Sequence, residues 1–233
     1  MGTLDGPGIR LVVFLQGCNF KCLFCANPDT IKIGEGGSMV PDEEIVRMAV
    51  NEKPYFGRRG GVTFSGGDPL VQARELIPLC QKLKAEGINI CVDTNGSIYN
   101  EYTSELFDLV DMVLLDCKEI NPKRHKVITG RGNENVLRTM DLLYEKGVAV
   151  RLRHVLVPGY SNFDEDLIAM AEHFGKYDNI ERLEILPYHT LGVHKYENLG
   201  WKYPLEGVET PPKEEVERVV EMMKPYFKLV WHQ

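Results

Sequence analysis

Cys18, Cys22 and Cys25 stand in a C-x3-C-x2-C run, C-N-F-K-C-L-F-C, directly after the apolar stretch 9–15. Three thiolates in one short loop can hold an iron–sulfur cluster while leaving one iron without a protein ligand. Such an iron can bind a small molecule and act on it, whereas a four-cysteine cluster mainly stores and passes electrons. Zinc is the competing reading of clustered cysteines, but structural zinc sites usually close four ligands from two close pairs. Here there is one triad, with Asp29 the nearest oxygen donor, so a zinc ion would have to recruit a remote histidine. The residues alone favour the cluster and leave two alternatives: an iron–sulfur electron-transfer or sensor module, and a zinc scaffold.

Other residues able to do chemistry recur where apolar runs end. Ser65-Gly66-Gly67-Asp68-Pro69 carries a glycine pair, which lets a ligand approach the backbone closely. Asp93-Thr94-Asn95-Gly96 and Asp116-Cys117-Lys118 follow two further runs. Strand alternation puts Asp116 and Lys118 on one face and Cys117 on the other. A buried lone lysine is costly, so an inward Lys118 calls for an anion, either Asp116 or a ligand carboxylate. Arg153 shares its face with Arg151, and Pro187-Tyr188-His189 closes the last of these runs. Read without further context, the Asp93 motif is first of all an Asx turn, and Arg153 has a rim salt bridge as its plain alternative. Cys80, Cys91 and Cys117 lack cluster spacing and are expected as buried hydrophobes.

The elements that must position these residues alternate. β-Branched runs at 9–16, 61–65, 88–93, 112–118, 148–157 and 180–187 predict strands. Helical periodicity marks 72–86, 136–146, 164–175 and 212–226, with 227–231 as a possible last strand. Repeated β-then-α units imply a parallel sheet, and polar residues gathered at the carboxyl ends of its strands mark the active face of an α/β barrel. Six strands suit a partial barrel. The 233 residues, with no composition break and no repeat, predict one domain over 1–233. A net charge of −7 argues against a general nucleic-acid binder, and no apolar stretch approaches a membrane span. Six cysteines without an export pattern predict a reducing cytoplasm, where the Asn95-Gly96-Ser97 sequon is inert.

At this level the chain resembles the radical S-adenosylmethionine (SAM) enzymes, whose hallmark is C-x3-C-x2-C after a first strand. Asp5-Gly6-Pro7-Gly8-Ile9-Arg10 with Gln16-Gly17-Cys18 resembles the opening of the glycyl-radical-enzyme activases. Asp93-Thr94-Asn95-Gly96, Val157-Pro158-Gly159 and Leu186-Pro187-Tyr188-His189, with Leu191-Gly192-x-His194-Lys195-Tyr196, extend the likeness over nearly the whole chain. The lack of a cysteine-rich insert points to the formate-lyase type rather than the dehydratase activators.

The resemblance implies a partial (β/α)6 TIM-type barrel, with a [4Fe–4S] cluster on Cys18, Cys22 and Cys25 in a loop over 18–30. It implies that the open iron chelates the amino and carboxylate groups of SAM. An electron from the cluster then breaks a C–S bond, giving a 5′-deoxyadenosyl radical that removes a hydrogen atom from a partner's glycine. Gly66, Gly67 and Asp68 would line the methionine end of SAM, with Asp68 where the family usually has Glu. Asn27 matches the family pattern, while Ala26 stands where close relatives have His. Asp93, Thr94 and Asp116 would hold a monovalent cation, Na+ or K+, beside Lys118; hard oxygen ligands suit such an ion. Arg153 is expected near the SAM sugar or carboxylate, and His189 near the ribose or adenine. The expected partners are a glycyl radical enzyme, formate acetyltransferase first among them, and a flavodoxin- or ferredoxin-type electron donor. No nucleic acid or membrane is expected, and the protein is expected to be a monomer. Residues 188–208 are too irregular to read as one element and are expected as a loop over the barrel mouth that grips the partner's glycine loop.

Overall fold

The structure, a computed structural model, describes residues 2–232. Seven parallel strands form one sheet in chain order: β1 (Arg10–Leu15), β2 (Gly61–Gly66), β3 (Asn89–Thr94), β4 (Met112–Asp116), β5 (Ala149–Leu156), β6 (Ile180–Pro187) and β7 (Val230–His232). Each strand pairs with the one before it, and right-handed crossovers then put the crossover helices on the same face, with the short helix Val193–Asn198 apart from them against the cysteine loop. A twisted sheet covered on one side curls, and its inner face becomes the wall of a partial barrel. The six strands expected from the sequence are all present. The seventh is the possible terminal strand, shorter than expected because the helix before it is followed by turns from Lys224 to Lys228.

The helices are α1 (Asp42–Phe56), α2 (Ala73–Ala85), α3 (Glu101–Phe107), α4 (Pro122–Thr129), α5 (Glu134–Glu145), α6 (Asp164–Phe174), α7 (Val193–Asn198) and α8 (Lys213–Met223). The strand residues facing the helical layer are apolar and sealed from solvent: Val62 and Phe64, Ile90 and Val92, Val113 and Leu115, Val150 and Leu152, Leu183 and Ile185. Each such side chain contributes about 1.5–3 kcal/mol through burial. Among the loose cysteines, Cys80 and Cys117 lie in this core, and Cys91 packs with Met112 and Leu114 on the inner face.

The inner face is closed at the amino ends of the strands by Arg10. Its guanidinium is fully buried and donates to Thr63 Oγ1 at 2.6 Å, Val62 O at 2.7 Å, Asn89 Oδ1 at 2.9 Å, and the carbonyls of Pro7 and Arg59. A buried charge is tolerable only when its donors are satisfied, and here they are. The closed lower end leaves the carboxyl ends of the strands as the open mouth.

Candidate active site

The cysteine loop is anchored on three sides. Gly17 turns the chain off β1 with φ +104°, a conformation that favours glycine. Gly17 N donates to Thr30 O and Cys18 N to Ile31 O, so the loop closes on its own far end. Lys21 N and Leu23 N donate to the carbonyls of Thr129 and Ile128 at the end of α4, and buried Phe20 meets the edge of His125 at 5.4 Å. From the other side, the Tyr196 hydroxyl donates to Cys25 O at 3.1 Å, and Lys195 Nζ to Asn27 Oδ1 at 2.8 Å. Residues 188–208 are therefore packed rather than loose. They contain α7, and buried Tyr188 is bonded through its hydroxyl to that of Tyr203 at 2.8 Å.

All three thiols are free and line one cavity of about 310 Å³ at the mouth. Burial pushes the Cys18 thiol up to about 12, and it raises Cys22 and Cys25 as well. Thiolates in such a place need positive charge. Lys118 favours all three, and a bound metal centre would supply the rest. Among the described residues no three Cys, His, Asp or Glu side chains surround a single ion position. Three thiols lining one cavity, with no fourth cysteine among its lining residues, fit a polynuclear iron–sulfur group with one thiolate per iron better than a four-thiolate zinc site.

Gly66 and Gly67 form the adjoining wall, for a reason different from the one expected. A Cβ on Gly66 would lie 2.5 Å from the backbone of Leu15, and one on Gly67 would lie 2.3 Å from Gly17 O. Glycine is required because the ends of β1 and β2 touch. Asp68, 1% exposed, is consumed by the fold: its carboxylate accepts from Leu70 N at 2.9 Å, Thr94 Oγ1 at 2.9 Å and Asn95 N at 2.7 Å. Burial outweighs those donors and pushes its pKa up to about 6. Its short side chain thus ties β2 to β3. Asn95, held there, turns its amide toward Cys18 Sγ at 3.8 Å and Asn19 Oδ1 at 3.2 Å.

A belt of charge crosses the mouth. Asp116, Arg153 and Glu184 are register neighbours on β4, β5 and β6. Arg153 Nε donates to Glu184 at 2.9 Å, its Nη1 to Asp93 at 3.3 Å, and its Nη2 to Leu4 O at 2.6 Å. Burial works against the charge on Arg153, but Asp93, Glu184 and Asp116 outweigh it and hold the guanidinium above its ordinary pKa. Lys118 pairs with Asp116 at 2.8 Å and sits over the Phe24 ring; the pairing likewise outweighs burial and holds the ammonium above its ordinary pKa. Asp93 also accepts from Ser65 Oγ at 2.8 Å.

Every residue singled out as a site candidate lines this cavity: Cys18, Cys22, Cys25, Asn27, Gly66, Gly67, Asp68, Asp93, Thr94, Asp116, Lys118, Arg153 and, at the exposed rim, His189. Asp93 and Asp116 present carboxylates to the same space, while the Thr94 hydroxyl points at Asp68. Sequence reasoning missed Glu184, which is 1% exposed and faces Arg151, Arg153 and Arg182. Its signal was present: Arg182 and Glu184 alternate within an apolar strand and so share the face of Leu186. It also left Asn95 and Ser65 without roles.

Comparison with known proteins agrees with this architecture. The model of the radical SAM superfamily matches residues 12–173. Pyruvate formate-lyase-activating enzyme of Staphylococcus epidermidis is 46% identical over 223 residues, covering 93% of this chain and 89% of that protein. The Staphylococcus aureus protein of that name is 44% identical over the same shares. Among solved structures, a domain of pyruvate-formate lyase-activating enzyme from Bacteroides vulgatus superposes with TM-score 0.63 at 23% identity, covering 75% of this chain and 99% of that one. Streptococcus suis SuiB bound to S-adenosylmethionine gives 0.75 at 16% identity, covering 97% of this chain and 50% of that one. These two likenesses concern the fold.

Proposed function

The chain belongs to the radical SAM superfamily, and we propose that within it the protein is the activase of a glycyl radical enzyme, formate acetyltransferase (pyruvate formate-lyase). The observation that carries the reading is the convergence, in one cavity, of three free thiols with the paired charges of Asp93, Asp116, Lys118 and Arg153. The near full-length identity to activating enzymes of that name supports the choice of partner.

In this reading Cys18, Cys22 and Cys25 would hold a [4Fe–4S] cluster, and SAM would occupy the cavity beside it. When bound, the cluster supplies the electron that splits a C–S bond of SAM, and the 5′-deoxyadenosyl radical so formed takes a hydrogen atom from the partner's glycine. The chain's own part is positioning and exclusion of water. Lys118 and Arg153 place two buried cations beside the ligand carboxylate. Asp93 and Asp116 offer carboxylates to a monovalent cation beside the ligand, while Thr94 is fixed by Asp68. Asn27, fixed by Lys195, and His189 at the rim complete the ligand's surroundings. No proton is moved by a protein group, because hydrogen-atom transfer needs no general base. Segment 188–208 packs over the cysteine loop at the edge of the mouth, where the partner's glycine loop would arrive, and the source of the electron is a flavodoxin- or ferredoxin-type protein. The protein acts as a monomer in the cytoplasm.

Anaerobic protein with reconstituted cluster, SAM and a chemical reductant should release 5′-deoxyadenosine and methionine. Addition of formate acetyltransferase should raise a glycyl radical doublet in the EPR spectrum. SAM cleavage without that doublet would remove the partner and leave the activase reading; no cleavage by a reduced, intact cluster would remove both.

A further inference from the structure

The cysteine loop has two sides. Phe20, Cys22 and Phe24 face the cavity, while Lys21, between the first two cysteines, faces solvent. Lys21 N and Leu23 N are bonded to the end of α4, so that helix continues the outer surface of the loop. On α4, Lys123, Lys126 and Val127 lie at i, i+3 and i+4 and share an exposed face, with exposed Arg131 just beyond Gly130. Among the described residues, Lys21, Lys123, Lys126 and Arg131 form no ion pair; of the acids around the helix, Glu165 and Asp166 are taken by Arg124, Glu119 accepts from Asn121 N, and Glu134 acts on buried His125. Val127 is 65% exposed on the face of α4 that carries Lys123 and Lys126. A chain of net charge −7 thus gathers unneutralised positive charge on the back of the loop that carries its thiols.

We propose that Lys21, Lys123, Lys126 and Arg131, around Val127, form the docking surface for a small acidic one-electron carrier protein that reduces the cluster. The proposal rests on the activase reading above. One electron leaves the reduced carrier and enters the cluster, with no bond made or broken and no proton moved. Helix α4 is bonded directly to the cysteine loop through Thr129 O and Ile128 O, so a carrier seated here approaches the thiolates from behind without blocking the mouth. That mouth stays open to SAM and the partner's glycine. Encounters of this kind are small, transient and steered by charge, with fast association that falls with ionic strength. A rim of cations around one apolar contact suits them.

The test uses the reconstituted holoprotein and a reduced acidic flavodoxin as probe, with cluster bleaching followed by anaerobic stopped flow. The Lys123→Glu/Lys126→Glu variant changes only exposed side chains, and Lys224→Glu on α8 is the charge control. Wild type and control should be reduced at similar rates that fall as salt rises. The double variant should be at least about tenfold slower at low salt, with the gap closing once the Debye length shrinks to a few ångströms near 1 M. Dithionite should reduce all three alike. A wild-type rate indifferent to salt, or a double variant as fast as the control at low salt, overturns the proposal. Normal flavodoxin kinetics with slowed glycyl radical formation under dithionite would give the surface to the glycyl radical enzyme and likewise overturn it. Cluster reduction is read without SAM, so failure of SAM cleavage bears on the activase reading alone.

Discussion

Removing Glu184 should destabilise the protein more than any other single change at the mouth. Its carboxylate is 1% exposed and accepts from Arg153 Nε at 2.9 Å and Arg182 Nε at 2.8 Å, with Arg151 Nη1 at 3.5 Å. In Glu184→Ala, Arg153 retains Asp93 at 3.3 Å, but Arg151 is left with Glu181 at 4.0 Å as its nearest acid. The Arg151 side chain is 6% exposed, so its charge cannot be handed to water. Breaking a buried network by removing one partner costs about 3–5 kcal/mol. At about 2–4 °C per kcal/mol for a chain of this size, Tm should fall by roughly 6–20 °C. Glu184→Gln keeps an acceptor and loses the charge, so it should fall between Glu184→Ala and wild type. Anaerobic urea unfolding near neutral pH measures the loss as a lower midpoint at unchanged m. Arg151→Met combined with Glu184→Gln should cost clearly less than the sum of the single changes, with a coupling of about 1–3 kcal/mol. A loss below about 1 kcal/mol for Glu184→Ala, or strict additivity in the cycle, would refute the idea that this carboxylate neutralises buried guanidiniums.

Asn95→Leu removes the amide facing Cys18 Sγ and should leave the cluster assembled but shift its midpoint potential downward, since hydrogen bonds to sulfur ligands stabilise the reduced form; an unchanged potential in an EPR-monitored titration would dismiss that role. Asp116→Ala strips Lys118 of its 2.8 Å partner and should weaken SAM binding by roughly tenfold, about 1.4 kcal/mol, with the cluster's absorption intact. Equal SAM affinity would remove Asp116 from the ligand site. Burial, with Asp166 adding to it, pushes Glu119 from 4.5 up to about 7, and its buried Oε2 has no partner. The folded state therefore holds this proton more tightly than the unfolded state. Glu119's contribution is fully present below pH 4.5 and is lost as pH rises to about 7, by about 3 kcal/mol. Glu119→Gln should flatten that decline; a wild-type pH profile in the variant would show that the carboxyl is solvated.

Much of the mouth was legible because strand alternation is a strong signal. Asp116 and Lys118 flank Cys117 in the sequence, and the fold puts the two charges in the cavity and the thiol in the core. The barrel followed from alternation as well, since apolar runs ending in polar residues at regular intervals leave few topologies open. Helices α1, α3, α4 and α7 were not marked by the periodicity: α1 carries Pro54 within it, and the other three are short. The cue for α4 was an Asn121-Pro122 pair, in which Asn121 Oδ1 accepts from Lys123 N and Arg124 N. The glycine pair was found for the wrong physical reason. Nothing local distinguishes a glycine that admits a ligand from one that admits a neighbouring strand; only the 2.5 Å approach of Leu15 to the absent Cβ of Gly66 does so. Glu184 was passed over because β6 also carries Glu181 and Arg182, so its acid resembles a solvated edge residue until the arginines of β5 are known to lie beside it.

The two sides of the cysteine loop carry opposite charge, and this bears on what each can receive. Inside, Asp5, Asp68, Asp93, Asp116 and Glu184 line the cavity against Lys118 and Arg153, and thiolates would add further negative charge. Such a mouth repels a phosphate or a nucleotide and suits a ligand bearing excess positive charge, as SAM does through its sulfonium. The internal ion pairs, Asp116 with Lys118 and Asp93 with Arg153, each offer one acid and one base. A ligand carboxylate together with a monovalent cation can therefore be seated by exchanging partners without leaving a buried charge unpaired, which is the condition for binding charge in a low-dielectric site. Outside, the cations of Lys21 and α4 would repel SAM but attract an acidic protein. If the carrier docks on α4 as proposed, the sign of the potential would sort the two reactants to opposite faces of one loop, so that the electron and the molecule it is meant to cleave approach the thiols without competing for the same opening.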